Sequence, residues 1–436
     1  MTSNGGSMTV GEAFDRYFGP DSGLRIEAYD GSTGGDPHGQ VLRLRSPEAL
    51  NYLLTAPRSL GLMRAYLTDE LTIEGMDEGN PYRELTTVLT RLTPRRPGLR
   101  DLPDLARFVR ETGLHVPDLP PQEAPAPWRR LAHGLRHGRQ RDAEAISHHY
   151  DVSNRFYEMV LGPSMAYTCA VYPDSEASLE EAQSYKFDLV CRKLALSPGM
   201  RLLDVGCGWG GMVRHAVMHY GVTALGVTLS RNQAEWGKEM LEREGLTDRA
   251  EIRHGDYRDV TERGFDAVSS IGLTEHIGVR NYPAYFRFLR DRLRDGGRLL
   301  NHCITHPDNR RNGILKDPFT NRYTFPDGEL SGVGHIISVM EDTGLEVRHQ
   351  ENLREHYART TGDWSQNLSA NWDACVAEAG LGTARVWGVY LAGSRVNFER
   401  NNIQLHQVLG VRTSDGGQSG MPLRPAWEME AAVHDL

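Results

Sequence analysis

Leu202-Leu-Asp-Val-Gly-Cys-Gly-Trp-Gly-Gly-Met212 is the stretch on which the fold turns. An apolar run, Met200 to Val205, reads as a buried parallel strand. It breaks into Gly206, Gly208, Gly210 and Gly211, and a helical pattern begins at Met212. Glycines at such a strand-to-helix turn let backbone N–H groups approach a ligand that a Cβ would exclude. Gly206, Gly208 and Gly211 also satisfy the G-x-G-x-x-G spacing of dinucleotide sites, and a glycine turn that binds nothing is the plainest alternative. A nicotinamide site needs an acidic residue about 20 positions on, at the end of the second strand, to hold the ribose. Here that strand, Thr223 to Leu229, runs through Thr228 into Ser230-Arg-Asn-Gln233 with no carboxylate. Asp204 lies inside the first motif instead, and Asp256-Tyr257 closes the third strand. That arrangement suits S-adenosylmethionine better than NAD.

Outward from this turn, apolar strands alternate with helical stretches. Strands are expected at 200–206, 223–229, 250–256, 265–272 and 296–305, with helices at 210–220, 231–245 and 281–293. The alternation implies an α/β fold built on a doubly wound, mostly parallel sheet. Leu345 to Asn352 and Ile403 to Val411 are expected to complete the sheet. Ligands in such sheets bind beyond the carboxyl ends of the strands. That rule brings the glycine turn, Ser230, Asp256, Glu275 and Asn301-His302-Cys303 to one edge.

The N-terminal part reads differently. Residues 1–93 mix short alternating segments, such as Gln40 to Arg45, with helical stretches at Pro47 to Leu54 and Leu60 to Tyr66, a small α+β domain. Residues 94–144 form a proline-rich and then basic connector, Trp128 to Arg141 carrying the positive charge. That run is either a solvated helix face or a patch for anionic lipid headgroups, each basic residue contributing about 1 kcal/mol near such a surface. The catalytic domain is expected over 145–436.

Composition narrows the class. With a net charge of −9 the chain is no generic nucleic-acid binder. Only 4 of its 49 basic residues are lysine, which reads as a bias of genome composition before one of function. Five cysteines without a C-x-x-C pair argue against a disulfide framework or a structural zinc site and fit a reducing cytosol. No metal is expected. Residues 1–9 lack the apolar core of a signal peptide, and no run approaches the 18 to 20 apolar residues that span a bilayer. The expected location is cytoplasmic, with any membrane met from its inner face.

Tyr150-Asp-Val-Ser-Asn154, Tyr167-Thr-Cys-Ala170, the glycine turn and Ile271-Gly-Leu-Thr-Glu-His-Ile-Gly278 carry a further signal. With Phe325-Pro-Asp-Gly328 and Ile403-Gln-Leu-His406, they make residues 145–412 resemble the cyclopropane-fatty-acid synthases and their mycolic acid relatives. The N-terminal part is similar to the extra domain of the phospholipid-acting members. The resemblance implies a class I methyltransferase fold. It also implies methyl transfer from S-adenosylmethionine to a cis double bond of a phospholipid acyl chain, by a homodimer in transient contact with a membrane surface. An alkene attacking a sulfonium methyl leaves a carbocation, and closing the ring requires a base. In the family that base looks like a bound bicarbonate ion. The matching positions here are Cys169, Glu275, His302, Tyr357 and the main chain at Ile304. Donor contacts are implied at Tyr167, Thr168, Asp204, Gly206, Cys207, Gly208, Gly210, Thr228, Ser230, Gln233, Asp256 and Tyr257.

Each assignment has a plainer alternative. Cys169 and Cys207 are candidate core fillers, packing being favoured for Cys207. His356 competes with Tyr357 as a donor, and Ser230 is placed to cap a helix. If 271–275 is a strand, Glu275 ends it and His276 points elsewhere. Many family members carry an aromatic residue where this chain has Thr274, and losing that face would change how a cation is held. A cation that migrates before losing its proton would give a methylene or methyl branch rather than a ring. A methyltransferase for a soluble N or O nucleophile and a non-enzymatic lipid-binding protein are the competing classes.

Overall fold

The computed structural model describes residues 8–56, 59–92, 98, 101–123, 152–310, 313–314, 322–323, 328–425 and 427. The basic run 128–141, Tyr150-Asp151 and Phe325 to Asp327 lie outside the described residues. Two compact units emerge, one within 1–124, 317–324 and 368–393, the other within 125–316, 325–367 and 394–436.

The first unit holds a four-stranded sheet of β1 (Leu24–Glu27), β2 (Thr33–Gly35), β3 (Gln40–Leu44) and β4 (Leu71–Ile73), in the order β2-β1-β3-β4. Helices α1 (Val10–Phe18), α2 (Pro47–Thr55), α3 (Ser59–Leu67) and α4 (Tyr82–Arg91) belong with it. Thr9 and Glu12 form a capping box on α1, and Ser46 caps α2 ahead of Pro47, so both helices start where side-chain oxygens satisfy free N–H groups. The stretch read as a connector contains a further helix, α5 (Leu102–Glu111), with Phe108 buried. Proline at the second position of α5 is tolerated because the first turn needs no N–H from it. The unit also reaches past the expected boundary at 93. Arg385 donates to the Tyr66 carbonyl at 3.2 Å and pairs with Asp69 at 3.0 Å and Glu78 at 2.6 Å. A late segment returning to an early one leaves no mark in chain order.

The second unit is a seven-stranded sheet. Its strands are β5 (Arg201–Val205), β6 (Thr223–Thr228), β7 (Ala250–His254), β8 (Phe265–Ile271), β9 (Leu293–Thr305), β12 (Glu346–Asn352) and β13 (Gln404–Val411). A separate pair, β10 (Gly313–Ile314) and β11 (Glu329–Leu330), stands apart from it. The order is β12-β13-β9-β8-β5-β6-β7, and β13 alone runs against the others. Consecutive residues send side chains to opposite faces. Leu202, Ala224, Ala267, Leu300 and Leu409 enter one core, while Leu203, Leu225, Val268, Leu299 and Val408 enter the other. Burial on both faces explains strands that read as apolar runs rather than alternating ones. Its helices are α6 (Asn154–Leu161), α7 (Leu179–Leu194), α8 (Gly211–Tyr220), α9 (Arg231–Arg243), α10 (Thr274–Ile277), α11 (Tyr282–Arg292), α12 (Val333–Asp342) and most of α13 (Arg354–Ala370), while α14 (Trp372–Ala379) and most of α15 (Leu381–Glu399) fall in the first unit. This is the expected α/β fold built on a doubly wound, mostly parallel sheet. The expected strand over 271–275 is not observed: β8 stops at Ile271, Gly272 adopts φ +75°, and Thr274–Ile277 coil into the single turn of α10.

Candidate active site

A cavity opens beyond the carboxyl ends of β5, β6 and β8, where the sheet geometry places ligands. Its wall takes Gly206, Cys207, Gly208 and Trp209 from the turn after β5, Thr228 and Leu229 from β6, and Gly272, Leu273 and His276 from the end of β8 and α10. Tyr167, Thr168, Asp204, Gln233 and Tyr257 complete most of the expected donor contacts. Gly208 adopts φ +55°, and a Cβ there would meet no protein atom within 4 Å. The space beside it is open on the cavity side.

Three expected contacts are placed elsewhere. Gly210 has a packing role: with φ +84°, its Cβ would strike Ile252 at 2.4 Å, so glycine lets α8 close on the sheet. Gly211 takes its place in the wall. Ser230 is the helix cap foreseen as its alternative, its Oγ accepting the Gln233 N–H at 3.4 Å. Asp256 caps the turn at 257–259, and its carboxylate is held by the Arg258 guanidinium, Oδ1 to Nε at 2.8 Å and Oδ2 to Nη2 at 2.5 Å. Cys207 contributes backbone to the wall while its sulfur packs where a Cβ on Gly226 would come within 2.9 Å.

Glu275, His302, Cys169, Tyr357 and Ile304 do not line that cavity. Glu275, Ile304, Cys169 and Tyr357 are linked through the main chain, and His302 is buried on β9 two residues before Ile304. Glu275 Oε1 accepts the Ile304 N–H at 2.7 Å. Ile304 lies opposite Leu405 on β13, whose carbonyl accepts the Leu353 N–H at 2.8 Å. The Leu353 carbonyl in turn faces the Cys169 sulfur at 3.8 Å and accepts the Tyr357 N–H at 3.1 Å. Tyr357 is buried, its ring stacked on Phe398 with centroids 4.4 Å apart. The competing His356 is engaged elsewhere, its Nδ1 accepting the Tyr172 N–H at 3.0 Å. Two polar atoms in this group, Glu275 Oε2 and His302 Nε2, are buried with no hydrogen-bond partner among the described residues. Thr274 is also buried and ties α10 to β9 through a 2.6 Å bond to the Asn301 side chain.

Electrostatics mark the same region. Burial pushes the Glu275 carboxyl up to about 7, with the Ile304 N–H opposing it. Burial raises Asp204 to about 7 as well, against a 2.6 Å hydrogen bond from Ser269. His302 is held well below its usual value by burial and by the nearby ammonium groups of Lys186 and Lys193. Burial drives the Cys169 thiol upward, so it stays a thiol rather than a nucleophilic thiolate.

The sequence reading missed these two lysines and Gln407. Lys186 is fully buried on α7, donating to the Thr168 hydroxyl at 2.9 Å, and burial lowers it to about 7. Lys193, seven residues and about two turns further along the same face of α7, is equally buried. A signal existed: in a chain with only 4 lysines, two sit inside eight residues of one helix. Arginine keeps its charge wherever it is placed, whereas lysine can be buried and lose its proton.

Comparison with known proteins agrees with this architecture. The family model described as mycolic acid cyclopropane synthetase matches residues 137–408. A protein of Mycobacterium tuberculosis named as a probable fatty acid methyltransferase is 57% identical over 409 residues, 93% of this chain and 95% of its own length. A second protein of that name from Pseudomonas putida is 44% identical over 289 residues, covering 66% and 73% of the two chains. Among solved structures, mycolic acid cyclopropane synthase CmaA1, complexed with SAH and CTAB, superposes with a TM-score of 0.57 at 30% identity, covering 62% of this chain and 97% of that one. Fold, cavity and matched span together place the chain in the mycolic acid cyclopropane synthetase family, as an S-adenosylmethionine-dependent methyltransferase of the cyclopropane synthase type.

Proposed function

We propose that this enzyme transfers the methyl carbon of S-adenosylmethionine to a cis double bond of a phospholipid acyl chain and closes a cyclopropane ring. Bicarbonate, when bound, supplies the base that removes a proton from the new methyl group. The observation that carries this reading is the pair of unpartnered buried atoms, Glu275 Oε2 and His302 Nε2. Buried polar groups without partners are rare, and a small polar ion is the kind of ligand that would complete them. Raised to about 7, Glu275 holds its proton in about half of the molecules at neutral pH, and in that form it accepts the Ile304 N–H through one oxygen and donates from the other. A neutral acid and a neutral imidazole hold an anion without the repulsion that two ionised carboxyl groups would suffer. The Ile304 N–H acts through Glu275, fixing its orientation, and the Cys169 sulfur faces the Ala170 and Leu353 carbonyls. Asp204, Gly206, Gly208 and Gln233 belong to the donor side of the site.

The acyl chain is taken from a membrane surface in transient contact, by a homodimer on the cytoplasmic face. No described helix is long and apolar enough to cross a bilayer. A second reading, ending in a methylene or methyl branch, is favoured by Thr274, which offers no aromatic face to a cation and spends its hydroxyl on Asn301. Glu275→Gln tests the first step: donor binding should persist while turnover falls by roughly 10²- to 10⁴-fold. Mass spectrometry of extracted lipids, with ring and methylene isomers resolved, decides the product. If Glu275→Gln keeps wild-type turnover in bicarbonate-depleted buffer, the buried group is structural.

A further inference from the structure

Behind His302 runs a line of buried side chains that the proposed chemistry does not use. Lys193, fully buried on α7, pairs with the Glu351 carboxylate on β12 and donates to Gln407 Oε1 at 2.7 Å. Gln407 and His302 face each other across the β13–β9 ladder, on the same side of the sheet. Gln407 Nε2 lies 3.2 Å from His302 Nδ1. Gln407 is fully buried, so no solvent competes for either end of its amide.

We propose that Lys193 and Gln407 are positioning residues that fix His302 as the tautomer with its hydrogen on Nε2. The reasoning needs only the donor and acceptor inventory. An ammonium paired with a carboxylate can donate and cannot accept, so the amide oxygen of Gln407 must face it. The opposite end of the amide is then an NH2 group, which can only donate, and Nδ1 must meet it with a lone pair. Rotating the amide by half a turn would set NH2 against ammonium and oxygen against a lone pair, losing both bonds. Protonating Nδ1 would set N–H against N–H. A neutral ring with its lone pair on Nδ1 carries its one hydrogen on Nε2, the atom left without a protein partner. The same burial and neighbouring cations that hold His302 well below its usual value keep the ring neutral. The ring is thereby a hydrogen-bond donor toward the site and has no lone pair there to take a proton.

This deepens the proposed function, since it rests on His302 facing the bound anion, yet the tautomer can be read without turnover. Full-length protein carrying ¹⁵N-labelled histidine would be examined by long-range ¹H–¹⁵N correlation, with His302→Asn identifying the signal by its disappearance. Between about pH 6 and pH 8, wild type should show an unprotonated Nδ1 and a protonated Nε2. The opposite tautomer, or an imidazolium, overturns the proposal even if no variant folds. Gln407→Glu replaces the donating end by a carboxylate, which accepts from Lys193 and from the ring. The hydrogen should move to Nδ1, and kcat should fall roughly a hundredfold with KM for S-adenosylmethionine unchanged. Lys193→Met frees the amide to turn and should give mixed tautomers, whereas Lys193→Arg keeps a donor and should restore one. An unmoved hydrogen in Gln407→Glu overturns the relay. A moved hydrogen with unaltered turnover leaves the relay standing and removes His302 from the proposed chemistry.

Discussion

Glu275→Gln should alter the pH dependence of stability in a direction the structure dictates. Burial raises this carboxyl to about 7 from an ordinary value of 4.5, with the Ile304 N–H pulling the other way. A group whose pKa is higher in the folded chain than in the unfolded one binds its proton more tightly when folded. Its contribution to stability is fully present below the unfolded value and is lost as pH rises through about 7. At about 1.4 kcal/mol per pH unit, the loss reaches about 3 kcal/mol in alkaline solution. Glutamine cannot ionise and keeps an oxygen for the Ile304 N–H, so it escapes the loss. Denaturant unfolding at about pH 5 and pH 8.5, followed by tryptophan fluorescence, should show the variant gaining about 2.5 kcal/mol on wild type across that interval. Asp204 and Lys186 titrate in both proteins and cancel in the difference. If the gap between variant and wild type is the same at both pH values, Glu275 ionises in the folded protein as it does in water. The account of a neutral acid holding an anion would then fail.

Lys186→Met should show the opposite slope. Burial lowers its ammonium from 10.5 to about 7, so the stability it contributes is present above its unfolded value and is lost as pH falls through about 7. The melting temperature of the variant should therefore rise by several degrees relative to wild type between about pH 9 and pH 6; a flat or falling difference would mean that the lysine stays charged at no cost. Gly208→Val should weaken S-adenosylmethionine binding roughly tenfold to a hundredfold in calorimetry while the circular dichroism spectrum stays unchanged. Undiminished affinity would remove the glycine turn from the donor site.

Much of the second unit is written in its sequence because its central strands are buried on both faces, with the glycine turn at the end of β5. Strands at 201–205, 223–228 and 265–271 match the apolar runs to within a residue or two. The cavity at the strand ends was legible for the same reason: Gly206, Gly208, Thr228, Gln233 and Tyr257 line it where strand ends must point. Local pattern failed where tertiary contacts decide. Glu275 was expected at a strand end, but Gly272 turns the chain and α10 aims the carboxyl at the Ile304 N–H. Asp256 looked like a ligand contact, yet a guanidinium two residues on claims its oxygens. Gln407 carried no signal, because its meaning arises only from the strand register that sets it beside His302. The recruitment of 368–393 into the first unit depends on Arg385 meeting residues more than 300 positions earlier, which no window along the chain can register.

The reversed strand β13 also imposes an order on synthesis. It follows every other described strand in chain order, yet it fills a slot between β9 and β12. Gln407 follows His302 by 105 residues, a delay of roughly 5 to 20 seconds at common translation speeds. For that interval the nascent sheet carries a bare edge on β9, able to pair with a neighbouring chain, and β12 joins it unpaired once residues 346–352 are made. A message cut short before codon 404 would leave those edges open for good. Until β13 arrives, His302 has no Gln407 beside it.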